Sequence, residues 1–215
     1  LAANATIRAI AYGPGLVDSL VASAAYTVST GALASARFLY ADADTKGNWV
    51  GTYGQDGGFQ AGGGSNDYTG YNRPPSYGGV TQLQPGSQLF GWFSGDVFDA
   101  RALTISPTNP GKAWVYGWLG NDFTATVTLN DGNWHQVAVY LLDWDSLGRA
   151  ENITVADAAT GAVLDTRNVS NFAGGLWQVW TVRGSVTFRF QKTAGPDAAA
   201  TAFFKLLRSG GCAAM

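Results

Sequence analysis

Apolar and polar residues alternate with a period of two along several segments of this chain. Residues 123–129 read Phe-Thr-Ala-Thr-Val-Thr-Leu, and residues 185–191 read Ser-Val-Thr-Phe-Arg-Phe-Gln. Because successive side chains of a strand point to opposite faces, this period predicts β-strands with one buried and one solvated face. No segment of useful length shows the period of about 3.6 residues that is typical of an amphipathic helix.

Strand candidates recur along most of the chain at intervals of about 8–14 residues, with turn-forming residues between them. They are residues 34–40, 89–93, 101–105, 113–119, 123–129, 136–142, 153–157, 162–167, 176–182, 185–191 and 200–206. This spacing is typical of two packed antiparallel sheets. We therefore predict an all-β fold, an antiparallel, jelly-roll-like β-sandwich over residues 31–208, followed by a flexible tail over residues 209–215.

A separate β-hairpin is predicted before the sandwich, over residues 1–30. Residues 5–12 and 20–28 read as its two strands, and Gly13-Pro-Gly15 provides a turn between them. A lone hairpin is marginally stable in water, so these strands need a partner. That partner is the sandwich, a missing upstream half of the same module, or another chain.

Composition and charge narrow the classes of function. Hydrophobic residues make up 46% of the chain and charged residues only 13%, which is about half the usual charged share of a soluble domain. The net charge of −2 gives no electrostatic basis for nucleic-acid binding. No run of about 18 apolar residues occurs, so no membrane span is predicted. A single cysteine, Cys212, excludes a disulfide framework.

An acidic corner follows the strand candidate 136–142, with the sequence Asp143-Trp-Asp-Ser-Leu-Gly-Arg-Ala-Glu151. Its carboxylates, Asp143, Asp145 and Glu151, form a predicted Ca²⁺ site, because calcium prefers oxygen ligands on flexible loops. The alternative is a structural corner in which Arg149 forms an ion pair with one of these acids.

The segment of residues 42–79 is long, glycine-rich and without clear periodicity. A loop of this length in a compact domain is usually functional or mobile. We expect its aromatic rings to lie at the surface as stacking platforms for sugars, although tryptophan in a sandwich is more often buried in the core. The predicted glycan-binding groove consists of Trp49, Tyr53, Asp56, Arg73 and Tyr77.

Catalytic machinery is not evident. His135 is the only histidine, and we interpret it as a structural residue at the start of a strand. A glycosidase needs two carboxylates about 5–10 Å apart across a cleft, whereas most acidic residues here lie in predicted turns, where aspartate is common for backbone reasons. We predict no enzymatic activity, with a hydrolase as the weakest alternative.

Two resemblances add to this picture. Residues 5–13 (Ala-Thr-Ile-Arg-Ala-Ile-Ala-Tyr-Gly) and 18–28 (Asp-Ser-Leu-Val-Ala-Ser-Ala-Ala-Tyr-Thr-Val) resemble the last two strands of the fibronectin-like module beside chitobiase and β-hexosaminidase domains. Residues 44–57 and 131–182, with Pro75-Ser-Tyr77 and shorter pieces, resemble a galactose-binding-like module at the C-terminal ends of large secreted bacterial proteins and polysaccharide-active enzymes.

The second resemblance implies a jelly-roll-like sandwich in an extracellular or cell-surface protein. It also implies a non-catalytic role in binding a polysaccharide or other glycan, or in adhesion. The alternative is a structural subunit of a self-assembling extracellular filament or surface layer. Its N-terminal strands would pair with a neighbouring subunit, since β-strand addition is an established mode of association.

Overall fold

The computed structural model describes residues 5–15, 17–26, 33–62, 71–81, 87–94, 98–112 and 114–206. Its contacts divide the chain into two units, Leu1–Ala32 and Leu33–Met215. In the described ranges no helix is long and apolar enough to cross a membrane. The predicted tail of residues 209–215, which includes Cys212, lies outside the described residues.

The first unit is the predicted hairpin. Strand β1 (Ala5–Ala9) pairs antiparallel with strand β2 (Ala22–Tyr26). The apolar side chains of Ile7, Ile10 and Leu20 are exposed. The two strands therefore form no apolar core between themselves, as expected for an isolated pair of strands.

The second unit contains fourteen described strands, and every described strand pair is antiparallel. They are β3 (Ser35–Asp42), β4 (Gly57–Gln60), β5 (Asn72–Arg73), β6 (Gly78–Thr81), β7 (Gln88–Ser94), β8 (Trp114–Gly120), β9 (Asp122–Leu129), β10 (Trp134–Leu141), β11 (Ala150–Asp157), β12 (Val163–Ser170), β13 (Leu176–Arg183), β14 (Val186–Ala194), β15 (Ala198–Ala200) and β16 (Ala202–Leu206). No helix occurs within the described ranges.

These strands form three sheets. The largest has the order β3-β13-β10-β16-β4-β5, the second has the order β12-β11-β14-β9-β6, and the smallest has the order β15-β8-β7. The prediction of an all-β antiparallel sandwich is confirmed. The predicted strand at residues 101–105 is wrong, because this segment consists of turns and bends. The sequence patterns did not reveal strands β4, β5 and β6. Strands β4 and β5 lie within the glycine-rich segment of residues 42–79, and β6 begins at its end.

The main core lies between the six-stranded and five-stranded sheets. Val137, Val139 and Leu141 point inward from β10, and Val155 and Phe188 belong to the same buried cluster from β11 and β14. The alternation predicted for residues 123–129 appears directly in β9, where every second side chain is buried. A strict period of two thus places one face of each of these strands in the core.

The six-stranded sheet is also covered on its other face. Tyr140 and Trp177 point away from the main core and pack with Trp49, Tyr53 and Leu103, which come from irregular segments. Ring centroids of Tyr53 and Trp177 lie 4.4 Å apart, and those of Tyr140 and Trp177 lie 4.7 Å apart. The irregular segments therefore act as a third layer, which explains why β10 and β13 are apolar on both faces.

Gly175 lies next to a hydrogen bond that links the six-stranded sheet to this covering layer. Gly175 has a φ of 84° just before β13, and a Cβ atom at this position would collide with the Tyr140 hydroxyl. That hydroxyl donates a hydrogen bond of 2.8 Å to the carbonyl oxygen of Arg101. A side chain at position 175 would therefore disturb both the backbone and the link between the sheet and its covering layer.

Candidate functional site

The two rings expected to carry sugar stacking lie in the core. Trp49 is 0% exposed and Tyr53 is 1% exposed, so the prediction that these residues form a surface platform is wrong. Trp49 Nε1 donates to the carbonyl oxygen of Thr104 at 2.7 Å, and the Tyr53 hydroxyl donates to Asp42 Oδ2 at 2.6 Å. Stacking on a sugar needs a free ring face, and packing against the sheet covers both rings.

The other three residues of the predicted groove are not buried. The Tyr77 hydroxyl donates a hydrogen bond of 2.6 Å to Asp56 Oδ2, and the Tyr77 ring stacks on His135 with centroids 4.1 Å apart. Arg73 is exposed on the short strand β5. Their role in ligand binding stays a prediction. His135 is fully buried, and its Nε2 atom lies 3.0 Å from Asp131 Oδ1.

The acidic corner is a tightly hydrogen-bonded loop between β10 and β11. Asp143 Oδ2 accepts from the backbone nitrogens of Gly148 at 2.9 Å and Arg149 at 3.2 Å, and Asp143 Oδ1 accepts from that of Leu147 at 3.2 Å. Gly148 has a φ of 76°, which glycine adopts without steric cost. The buried carboxylate therefore organises the loop by satisfying its backbone donors.

Arg149 lies at the centre of the corner and is almost fully buried. Its Nη1 atom donates to Asp143 Oδ1 at 2.5 Å and to Asp145 Oδ1, and its Nε atom donates to Asp197 Oδ1 at 2.6 Å. Burial alone would raise the pKa of Asp143, but the hydrogen bonds from Arg149 and the loop backbone outweigh burial and lower it. The corner is thus closed by ion pairs to Arg149, as the structural alternative predicted.

Glu151, the third predicted calcium ligand, lies apart from these ion pairs. It is fully buried on β11, and its Oε2 atom accepts a hydrogen bond of 2.7 Å from the backbone nitrogen of Ala199. No described residue provides a hydrogen bond to its Oε1 atom. Burial, reinforced by the charge of Asp197 and opposed by Arg149, raises the pKa of Glu151 to about 8. The side chain is therefore mostly protonated and neutral at pH 7.

Within the described part of the chain, no group of three His, Cys, Asp or Glu side chains is arranged to hold a metal ion. The oxygens of Asp143 face backbone amides and the Arg149 guanidinium, and Asp145 also contacts Arg149. A calcium ion bound to Asp143, Asp145 and Glu151 would have to replace these positive partners. Calcium binding at the corner stays a prediction.

An open groove of about 530 Å³ lies directly beside this corner. Strands β7 and β8 and the turn after β8 line one part of it, the acidic corner lines another, and the turn before β15 completes it. The lining residues are Gln88, Phe90, Leu119, Gly120, Asn121, Asp145, Leu147, Arg149, Pro196 and Asp197. This volume lies within the range of about 300–1,000 Å³ that is usual for small-ligand sites.

Apolar and acidic groups meet in this groove. Phe90 is 48% exposed although it is a large aromatic residue, and Leu147 is also exposed. The Phe90 ring contacts Trp92 edge to face at 5.7 Å between centroids, and the Arg149 guanidinium lies 5.5 Å from the same Trp92 ring. The Trp92 ring therefore contacts both Phe90 and Arg149, the residue that forms ion pairs with the aspartates of the groove.

Sequence patterns did not reveal the groove, because its residues come from segments far apart in the chain. The sequence of the acidic corner did suggest an ion pair between Arg149 and one of its acids. Phe90, in contrast, looks like any other apolar strand residue, and Asp197 looks like any other turn aspartate. One local feature did hint at exposed apolar residues near the groove. Residues 88–93 read Gln-Leu-Phe-Gly-Trp-Phe and lack the strict alternation of a half-buried strand.

The fold and this groove define the protein as an all-β sandwich with an open cleft beside a buried ion-pair cluster. No protein-family model matches the chain, and no curated protein matches it. Among solved structures, the chain is similar to an exo-β-1,3-galactanase from Phanerochaete chrysosporium crystallised with β-1,3-galactotriose, at 18% sequence identity and a TM-score of 0.35. The match covers 72% of this chain and 29% of that chain, and it is too weak to carry an argument.

Proposed function

We propose that the sandwich is a non-catalytic carbohydrate-binding module of the extracellular space or cell surface, and that the groove beside the acidic corner binds the glycan. One observation carries the proposal: the groove places an exposed aromatic ring, Phe90, together with two carboxylates, Asp145 and Asp197, that are held in ion pairs. Sugars present apolar C–H faces and hydroxyl groups, and this combination matches both.

The groove is well organised for binding. Arg149 holds one oxygen of Asp197 at 2.6 Å and also contacts Asp145, so both carboxylates keep their positions without a ligand. Preorganised groups lose less conformational entropy on binding, which favours affinity. Gln88 and Asn121 add amide groups that donate and accept hydrogen bonds.

The same arrangement favours binding over hydrolysis. A glycosidase needs one protonated carboxyl group within reach of the glycosidic oxygen. Here the carboxyl group with the raised pKa is Glu151, which is fully buried and hydrogen-bonded to the backbone of β15. The carboxylates that line the groove, Asp145 and Asp197, form ion pairs with Arg149 instead.

The test is a pair of alanine variants on one strand. Phe90→Ala removes the exposed ring from the groove, whereas Leu89→Ala removes an exposed apolar side chain from the same edge strand outside the groove lining. We expect Phe90→Ala to lose at least ten-fold in affinity for the polysaccharides retained by the wild type in affinity electrophoresis, and Leu89→Ala to bind normally. Equal retention of all three proteins would contradict the groove as the binding site.

The hairpin supports a second candidate function, a structural subunit of an extracellular filament or surface layer. Its apolar residues, among them Ile7, Ile10 and Leu20, are exposed within the hairpin itself. Exposed apolar strands favour association with a further sheet or chain. In that alternative, β1 and β2 would pair with a neighbouring subunit.

A further inference from the structure

The charges around the groove are distributed unevenly between its surface and its interior. The side chains of Asp145 and Asp197 are 35% and 23% exposed, whereas that of Arg149 is 3% exposed. The positive charge is therefore buried behind the two carboxylates that balance it. A ligand in the groove meets negative charge first.

The ion-pair cluster carries more negative than positive charge even when the nearest bonded lysine is included. Asp143, Asp145 and Asp197 contact Arg149, and Lys192 lies close by, because its Nζ atom donates to the carbonyl oxygen of the lining residue Pro196 at 3.2 Å. Three carboxylates thus accompany two positive groups, although the buried Asp143 does not line the groove itself. Lys192 is exposed and bonded to the backbone, so water and salt screen its charge more effectively than the charge of a buried group.

The hydrogen-bonding capacity of the groove also disfavours an anionic ligand. An ionised carboxylate only accepts hydrogen bonds. Asp197 Oδ1 accepts from Arg149, and no described residue donates to Asp197 Oδ2. A ligand group beside that oxygen must therefore be a donor, such as a sugar hydroxyl. The carboxylate of a uronic acid or a sulfate ester offers only acceptors there, and it also repels the negative charge.

We infer that the groove selects neutral glycans with free hydroxyl groups and rejects glycans that carry uronic acids or sulfate esters. This inference rests on the proposed function and adds the class of ligand to it. Phe90 stacks against the apolar face of a neutral sugar ring, while Asp145 and Asp197 accept hydrogen bonds from its hydroxyls. The selectivity comes from repulsion of the wrong ligand as much as from attraction of the right one.

The experiment compares one polymer with its own charged derivative. Affinity electrophoresis first identifies the neutral polysaccharide retained best from a panel of galactan, xylan, dextran and hydroxyethyl cellulose. The same polymer is then sulfated chemically, and both forms are tested with the wild type and with Asp197→Asn and Asp44→Asn. Asp44 is exposed and outside the groove lining, so its variant removes the same charge elsewhere.

We expect the wild type and Asp44→Asn to bind the sulfated polymer at least ten-fold more weakly than the neutral one. Asp197→Asn should reduce that ratio several-fold, because it removes a negative charge and supplies an amide donor. Added salt should reduce the ratio for the wild type as well, because it screens exposed charges. The salt series tests the inference even if the variant is unstable.

The outcomes separate the inference from the proposed function. Equal or tighter binding of the sulfated polymer by the wild type, with retention that Phe90→Ala abolishes, overturns the inference alone. An unchanged ratio in a folded Asp197→Asn variant also overturns it. If no neutral polymer is retained, the proposed function and the inference both fall.

Discussion

At the scale of single residues, Glu151 gives the clearest link between structure and pH dependence. Its carboxyl group is fully buried, and burial raises its pKa to about 8 from an ordinary value of 4.5. Between these values the unfolded chain releases the proton while the folded protein retains it. The contribution of Glu151 to stability is therefore greatest below pH 4.5 and is lost as the pH rises toward and through 8.

The variant Glu151→Gln tests this linkage, because glutamine keeps the shape and an acceptor for the Ala199 amide but does not ionise. We expect the stability of the variant relative to the wild type to increase from about pH 5 to pH 8 and to level off above pH 8, where Glu151 is ionised in the folded protein as well. One pKa unit corresponds to about 1.4 kcal/mol, so the effect is at most a few kcal/mol. Urea denaturation of both proteins across this range measures it, and parallel curves would contradict the assignment.

At the scale of elements, the corner between β10 and β11 illustrates how a local motif acquires a tertiary partner. Asp143 organises the backbone of the loop and Arg149 bonds to Asp143 and Asp145, all within seven residues of sequence. The bond from Arg149 to Asp197 then ties this loop to the turn before β15. The ion pair therefore joins two elements that border the groove.

Chelation distinguishes the two interpretations of this corner. Arg149 and the backbone amides already occupy oxygens of Asp143 and Asp145, so we expect the melting temperature to be unchanged in excess chelator and after addition of calcium. A ligand that binds only the folded state would instead stabilise it. A fall in melting temperature on chelation that calcium restores would show that the folded protein binds calcium and would favour the calcium interpretation of the corner.

At the scale of the whole molecule, the role of the N-terminal unit decides between the two candidate functions. A module that binds glycans through its sandwich should remain monomeric, and it should retain polysaccharide without residues 1–29. We therefore expect light scattering after size-exclusion chromatography to give monomers for the full chain and for the deletion. A full-length double variant, Ile7→Asn with Ile10→Asn, serves as a matched control that keeps the chain length.

Assembly of the full chain would reverse this conclusion. In head-to-tail association the donor and acceptor surfaces differ, so the assembly need not close and grows with concentration. Large species that increase with protein concentration, and disappear both in the deletion and in the double variant, would support the filament alternative over the binding module.

The local sequence was sufficient for most of the strands and for part of the acidic corner. The alternation in β9 and β14 follows from the two-residue period of any strand, so it predicts both the element and its buried face. The composition of the acidic corner similarly suggested, as one of two alternatives, an ion pair between Arg149 and one of its acids. Both predictions depend on residues that are close in sequence.

Tertiary structure alone decided which apolar residues are core and where the groove lies. Trp49 and Tyr53 lie in a glycine-rich loop that covers the outer face of the six-stranded sheet. The sequence of the loop has no pattern that indicates this packing. Likewise, Phe90 and Asp197 border one groove only because β7 and the turn before β15 are brought together by β8. Burial depends on what packs against a side chain. When the packing partners are distant in the chain, neither segment carries a local pattern that reveals the contact.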